Sequence, residues 1–112
     1  MKIDFHVHTY HSYDAASSPQ KIIDQAVAIG LDAICITDHN TVAGHDEAIN
    51  YATNKPILVI PGIEVHSKDG HILGINVRKT IGRGLRFEET VNAIRDAGGI
   101  AILAHPFFWP HH

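Results

Sequence analysis

Asp4-Phe5-His6-Val7-His8 places a carboxylate and two imidazoles at every second position of a short run. Successive side chains of a β-strand point to opposite faces. Asp4, His6 and His8 therefore share one face, and Ile3, Phe5 and Val7 share the other, where they are expected to pack under helices. Neighbours on one face stand about 6.5–7 Å apart along the strand. Imidazole is the commonest biological metal ligand and suits zinc, iron and related ions. A single His-x-His pair is a weak signal and more often marks a wetted strand face. What separates the two readings is that ligand-type residues recur at the ends of later apolar runs.

Asp38 and His39 follow the run at 33–37, Glu64 closes the stretch that starts at Ile57, and His105 follows the run at 100–104. Asp69-Gly70 signals a hairpin turn, which sets His71 on the return strand beside Glu64. Asp14 lies in the polar loop after the first run. In α/β proteins, sites gather at the carboxyl ends of parallel strands. His6, His8, Asp14, His39, Glu64, His71 and His105 are therefore expected to converge on a metal cluster. Nitrogen-rich donors favour zinc, manganese or iron over calcium. Two or three such divalent ions, held by few anionic ligands, would keep a net positive charge that suits a phosphate. Asp38, next to a ligand histidine, is expected to orient that imidazole or to shuttle a proton; a loop cap is the plainer alternative.

The elements that must position these residues alternate in type. Residues 3–8 form a first strand. Ser18-Pro19 reads as an N-cap followed by the first helical residue, with Ile22, Ile23, Ala26, Val27 and Ile29 on one helical face and Gly30 closing it. Residues 33–37 form a buried strand. Residues 41–53 form a second helix, weakened at its start by Gly44. A strand at 57–60 is expected to break at Pro61-Gly62 and resume at 63–65, with a turn over 66–70 and a return strand at 71–77. The loop at 78–86 carries Arg78, Lys79, Arg83 and Arg86 and no acid. Phe87, Val91, Ile94 and Ala97 mark a third helix, Gly98-Gly99 ends it, and 100–104 form a last apolar strand. Strands alternating with helices imply a mainly parallel sheet, open or closed into a barrel.

The chain has 112 residues, enough for one modest domain spanning 1–112. With 45% of residues apolar a packed core is expected, and a net charge of −3 argues against a general nucleic-acid binder. Cys35 is the only cysteine, so no intrachain disulfide forms; it is expected in the core. No membrane helix or signal peptide is evident, and a cytoplasmic location is expected. His111 and His112 read as the start of a tag. His11, His45 and His66 match no ligand position and are expected at the surface.

The motifs Asp4-Phe5-His6-Val7-His8-Thr9 with Ser12 and Asp14, Thr37-Asp38-His39-Asn40, Pro61-Gly62-Ile63-Glu64, His71-Ile72-Leu73-Gly74 and Leu103-Ala104-His105-Pro106 together resemble, in order and spacing, the PHP (polymerase and histidinol phosphatase) family. The resemblance implies an α/β fold, a distorted TIM-like (β/α)7 barrel, with a trinuclear centre that hydrolyses phosphoesters. It also implies that His6, His8 and Glu64 hold one metal, that Asp14 and His39 hold a second, and that Glu64, bridging, holds the third with His71 and His105. Family members commonly add a Gly-x-Asp-x-His-type motif and an arginine just after His-Pro. Here the first is absent, and Phe107-Phe108-Trp109 stands near the place of the second. A partial barrel is therefore expected, with an apolar edge that favours homo-oligomers. The activity implied is metal-dependent hydrolysis of a small phosphorylated metabolite or nucleotide. The alternatives are a non-catalytic metal-binding module completed by a partner chain and, ranked last for want of a lysine at a ligand position, an amidohydrolase.

Overall fold

The structure, a computed structural model, describes residues 1–104; His105 and residues 106–112 lie outside them. The elements are β1 (Ile3–Val7), α1 (Pro19–Ala28), β2 (Ala33–Ile36), α2 (His45–Ala52), β3 (Leu58–Ser67), β4 (Gly70–Ile75), α3 (Phe87–Asp96) and β5 (Ile100–Leu103). The strands form one sheet in the order β1-β2-β3-β4-β5. β1, β2 and the first part of β3 pair in parallel, whereas β4 runs antiparallel to both β3 and β5. β4 is thus the reversed strand, and β5 again points the way of β1–β3. The sheet curls into a half-barrel of the expected α/β, TIM-like kind.

α1 begins where the sequence says it should. Ser18 Oγ accepts from Lys21 N at 3.2 Å, and Pro19 occupies the first turn, where its missing N–H costs nothing. Ile23 and Ala26 pack with Ile34, Ile36, Val59, Ala48 and Ala52 in one core. Gly30 ends the helix at φ +85°, donating to Val27 O at 3.1 Å. Ile29, expected on the buried face, is instead 70% exposed, because it is the capping residue just before the chain turns at Gly30.

Three further expectations are corrected. α2 starts at His45 rather than at residue 41. Asn40 takes a left-handed φ of 56°, and Gly44 packs so tightly that a Cβ there would lie 2.9 Å from His11 Cδ2. These residues serve the site loop and are not free to form a helical turn. β3 is not broken at Pro61-Gly62 but runs to Ser67, which leaves a two-residue turn at 68–69. The strand changes partners there, pairing with β2 up to Pro61 and with β4 from Gly62. A Cβ on Gly62 would sit 2.6 Å from Cys35 Sγ and 2.8 Å from Gly74 O, so glycine is what lets the three strands close up. Finally, β1 and β5 are edge strands, and their outer apolar residues lack full cover. Phe5 is exposed rather than packed under helices, whereas the exposed Ile100, Ile102 and Leu103 agree with the apolar edge expected of a partial barrel.

Cys35 is fully buried as expected, against Leu73 and Ile75 on the inner wall, and burial pushes its thiol up to about 12. Among the described residues no helix is long and apolar enough to cross a membrane.

Candidate metal centre

The strand ends meet at Glu64. β3 carries this carboxylate, 1% exposed, into a ring of imidazoles. Its Oε1 lies 2.6 Å from His6 Nε2 and 2.8 Å from His8 Nε2. Its Oε2 lies 2.9 Å from His71 Nδ1 and 3.7 Å from His39 Nδ1. Each oxygen thus serves a different pair of rings. Period-two alternation puts His6 and His8 on the same side of the first strand and its extension. Pairing of His66 with His71 across the hairpin brings His71 alongside Glu64.

His39 reaches the cluster because β2 is prolonged as a single bridge pairing it with Glu64. Asn40 N donates to Glu64 O at 2.8 Å, and Asn40 Oδ1 accepts from His66 N at 2.9 Å. The left-handed φ of Asn40 is one that asparagine tolerates better than most residues. Asp14, 42% exposed on the first loop, closes the group. Its Oδ2 lies 2.8 Å from His39 Nε2 and its Oδ1 lies 3.6 Å from His8 Nδ1.

Asp38 lies behind this group, 1% exposed. It accepts from Thr9 N at 2.6 Å, Thr9 Oγ1 at 2.6 Å and Ser12 Oγ at 2.8 Å. Ser12 Oγ in turn accepts from His39 N at 2.9 Å. Asp38 therefore ties the Thr9–Ser12 loop to the backbone of His39, and its contacts are with that loop rather than with the His39 ring.

Two histidines expected at the surface are not there. His45 is 6% exposed, and its Nε2 lies 2.7 Å from Gly62 O, joining α2 to the partner switch in β3. His66 belongs to the cluster: its Nε2 is 2.6 Å from His39 Nδ1, and its ring stacks on His71 with centroids 4.0 Å apart and planes 6° apart. The signal was present, since His66 lies two residues after Glu64 and so on the same strand face; placing a turn at residue 66 hid it. His11 is exposed as expected, near Glu47 at 3.2 Å. His105 lies outside the described residues, but Ala104 N donates to His71 O at 3.0 Å, so the described chain reaches the cluster's edge.

Burial alone would raise the Glu64 carboxyl; hydrogen bonds from His8 and His6 and the charge of His39 outweigh it and bring it to about 2. His8 is raised, chiefly by its bond to Glu64 against the cost of burial. Burial, then His71 and His39, lowers His66 to about 4, and burial lowers His45. These shifts fix a pH dependence for the metal-free chain. The stability that Glu64 contributes is complete above its ordinary value of 4.5 and is lost as pH falls toward about 2. Asp14, also lowered, acts in the same sense. His66 and His45, both lowered, contribute stability that is lost as pH falls below 6.5, for His66 down to about 4, whereas the raised His8 adds stability only as pH falls toward 6.5 and nothing further below it. The urea midpoint of the chelator-treated chain should therefore begin to fall below about pH 6.5 and go on falling below pH 4.5; a flat or rising midpoint over that range would contradict the burial and ion-pairing described.

One donor atom each from His6, His8 and Glu64 forms a group with all atoms within 4.8 Å of one another; so do His8, Asp14 and His39, and so do His39, Glu64, His66 and His71. Such imidazole-rich sets around a buried carboxylate fit borderline transition ions, which take His nitrogen and carboxylate oxygen at about 2.0–2.2 Å. The groups overlap at Glu64, His8 and His39, and of these only the Glu64 carboxylate has a second donor atom that could serve another ion. The residues present therefore fit divalent metals.

Over its full length the chain matches the fold of an amidohydrolase from Chromobacterium violaceum, described with bound sulfate and no metal, at a TM-score of 0.83 and 20% identity, covering 69% of that protein. A Bifidobacterium adolescentis protein described as a metal-dependent phosphoesterase matches 67% of the chain at 32% identity and a TM-score of 0.63; the chain covers 27% of it. Among curated proteins, the uncharacterized protein MJ1587 of Methanocaldococcus jannaschii is 33% identical over 96% of the chain, which spans 68% of that relative. The family model described as the PHP domain matches residues 4–101, a span that holds the whole described cluster from His6 to His71, and on that match the chain belongs to the PHP family.

Proposed function

We propose that this chain is a metal-dependent phosphoesterase acting on a small phosphorylated metabolite or nucleotide. The observation that carries the reading is Glu64, buried and dividing its two oxygens between two pairs of imidazoles. Two or three zinc, manganese or iron ions bound there would supply hydroxide at neutral pH and an electrophilic clamp for phosphoryl oxygens. Glu64 with His6 and His8 would hold one ion, Asp14 with His39 another, and Glu64 with His71, and with His105 by family resemblance, a third. Asp38 holds the Thr9–Ser12 loop, and through Ser12 the His39 backbone, so that His39 faces Asp14. Lowered carboxyls at Glu64 and Asp14 keep both residues ionised at neutral pH, ready to ligate.

A basic loop supports an anionic substrate. Gly84 N donates to His66 O at 2.8 Å and Lys68 N to Leu85 O at 2.7 Å, docking residues 82–86 against the hairpin that bears the site. The charge of Arg83 is felt at His66. Arg83 is thereby suited to draw phosphate toward the cluster. The similarity to the Bifidobacterium protein described as a phosphoesterase supports this reading.

A second reading, a metal-holding module completed by another copy or a partner chain, is favoured by the exposed apolar edge residues Phe5, Ile100, Ile102 and Leu103. One experiment separates the two. The full chain, stripped and reloaded with manganese, zinc or iron, is assayed on a panel of phosphomonoesters and phosphodiesters. The first reading expects metal-dependent turnover that is abolished by chelation and by His6→Ala or His39→Ala. Absence of turnover from the fully loaded chain would contradict it and leave the module.

A further inference from the structure

Resting on the metal-dependent reading above, we infer that His66 is a positioning residue for His39: its Nε2 accepts the hydrogen bond of His39 Nδ1–H when His39 ligates through Nε2. A neutral imidazole that gives one nitrogen to a metal must carry its proton on the other, and that N–H is normally held by an acceptor. His39 Nε2 faces Asp14 Oδ2 at 2.8 Å, which makes it the ligating nitrogen. Its Nδ1 faces His66 Nε2 at 2.6 Å, and Glu64 Oε2 lies farther off at 3.7 Å.

The orientation of the His39 ring decides between a ligand and a positioning role. A neutral imidazole gives a metal only one of its nitrogens, and with Nε2 turned to Asp14 the nitrogen left to carry the proton is Nδ1. That nitrogen faces His66 Nε2, which lies nearer to it than Glu64 Oε2 does. The His66 ring is also fixed from two sides. It stacks on His71 at 4.0 Å, and its backbone N–H donates to Asn40 Oδ1 at 2.9 Å, on the residue next to His39. In the loaded site the neutral His39 would carry its one proton on Nδ1 and the neutral His66 its one proton on Nδ1; a free His39 that holds its proton on Nε2 releases that proton to solvent and takes one from solvent on Nδ1, with no net change.

The test uses the full chain and zinc or manganese alone as probe, read by competition with a chromophoric chelator and by nitrogen-15 histidine spectra. H66F keeps a ring over His71 but removes the acceptor. H66Q puts an amide oxygen at a similar reach. In H66F, affinity for one ion should fall on the order of 10–100-fold, the usual cost of losing such a partner, and H66Q should restore most of it. In the zinc-loaded wild type, His39 should be protonated at Nδ1, with scalar coupling across the bond to His66 Nε2. If H66F does not fold, H66Q and the wild-type spectra decide. Unchanged affinity in H66F, an H66Q loss as large as that of H66F, or a His66 nitrogen that itself shifts as a metal ligand would overturn the inference. A loaded chain without turnover would sink the phosphoesterase reading alone and leave these spectra as they are.

Discussion

Glu64→Gln is expected to abolish metal-dependent turnover, with a loss in kcat/KM of at least about 1000-fold, or about 4 kcal/mol of transition-state stabilisation. The reason is the double duty of the carboxylate. Oε1 serves His6 and His8, and Oε2 serves His71 and His39. Glutamine keeps the shape but replaces one oxygen with an N–H2 donor and removes the charge. It cannot bridge two cations, and its amide would confront rings whose free nitrogens are meant for metals. Metal content should fall together with activity, because the groups that share Glu64 fail together. Steady-state rates beside elemental analysis of the same sample check this. A variant that keeps its metal and more than a tenth of its activity would mean that Glu64 is not the bridge.

Asp38→Asn should cost about 2–4 kcal/mol of folding stability and weaken metal binding at Asp14 and His39. Three donors converge on this buried carboxylate, from Thr9 N, Thr9 Oγ1 and Ser12 Oγ. An asparagine turns an N–H2 toward at least one of them and leaves a buried donor unsatisfied, which costs about 1–3 kcal/mol per group. Ser12 then loses its anchor, and the His39 N–H that it accepts at 2.9 Å goes with it. Urea unfolding and metal titration distinguish this from the rival role of proton shuttle. A shuttle variant would fold and bind metal normally and lose only rate, and that outcome would remove Asp38 from the positioning account.

Much of this site was legible because strand ends are chemically conspicuous. His6, His8, Asp38, His39, Glu64 and His71 each border a β-branched or apolar run, and a parallel sheet has one carboxyl edge for such residues to share. The hairpin signal at Asp69-Gly70 placed β4 beside β3, and Ser18-Pro19 placed the start of α1, because both act through local backbone chemistry. What the sequence hid depends on tertiary contacts. Pro61-Gly62 looks like a break, yet it marks a change of strand partner that only the packing of Cys35 and Gly74 explains. The late start of α2 depends on Gly44 being pressed against His11 and Asp38. The exposure of Phe5 follows from β1 lying at the sheet edge, which strand order decides and local pattern does not. His66 was hidden by a turn placed where β3 continues, and His45 because a lone histidine reads as a surface residue until the helix that turns it inward is known.

Separate strand ends meet around Glu64 in one pocket whose donors suit cations. Anomalous scattering from crystals of the full chain grown with zinc or manganese, recorded across the metal's absorption edge, tests it most directly. The account predicts a strong peak within coordination distance of Glu64 and the rings of His6 and His8, and another beside Asp14 and His39. A map with no anomalous peak near the Glu64 carboxylate would contradict it.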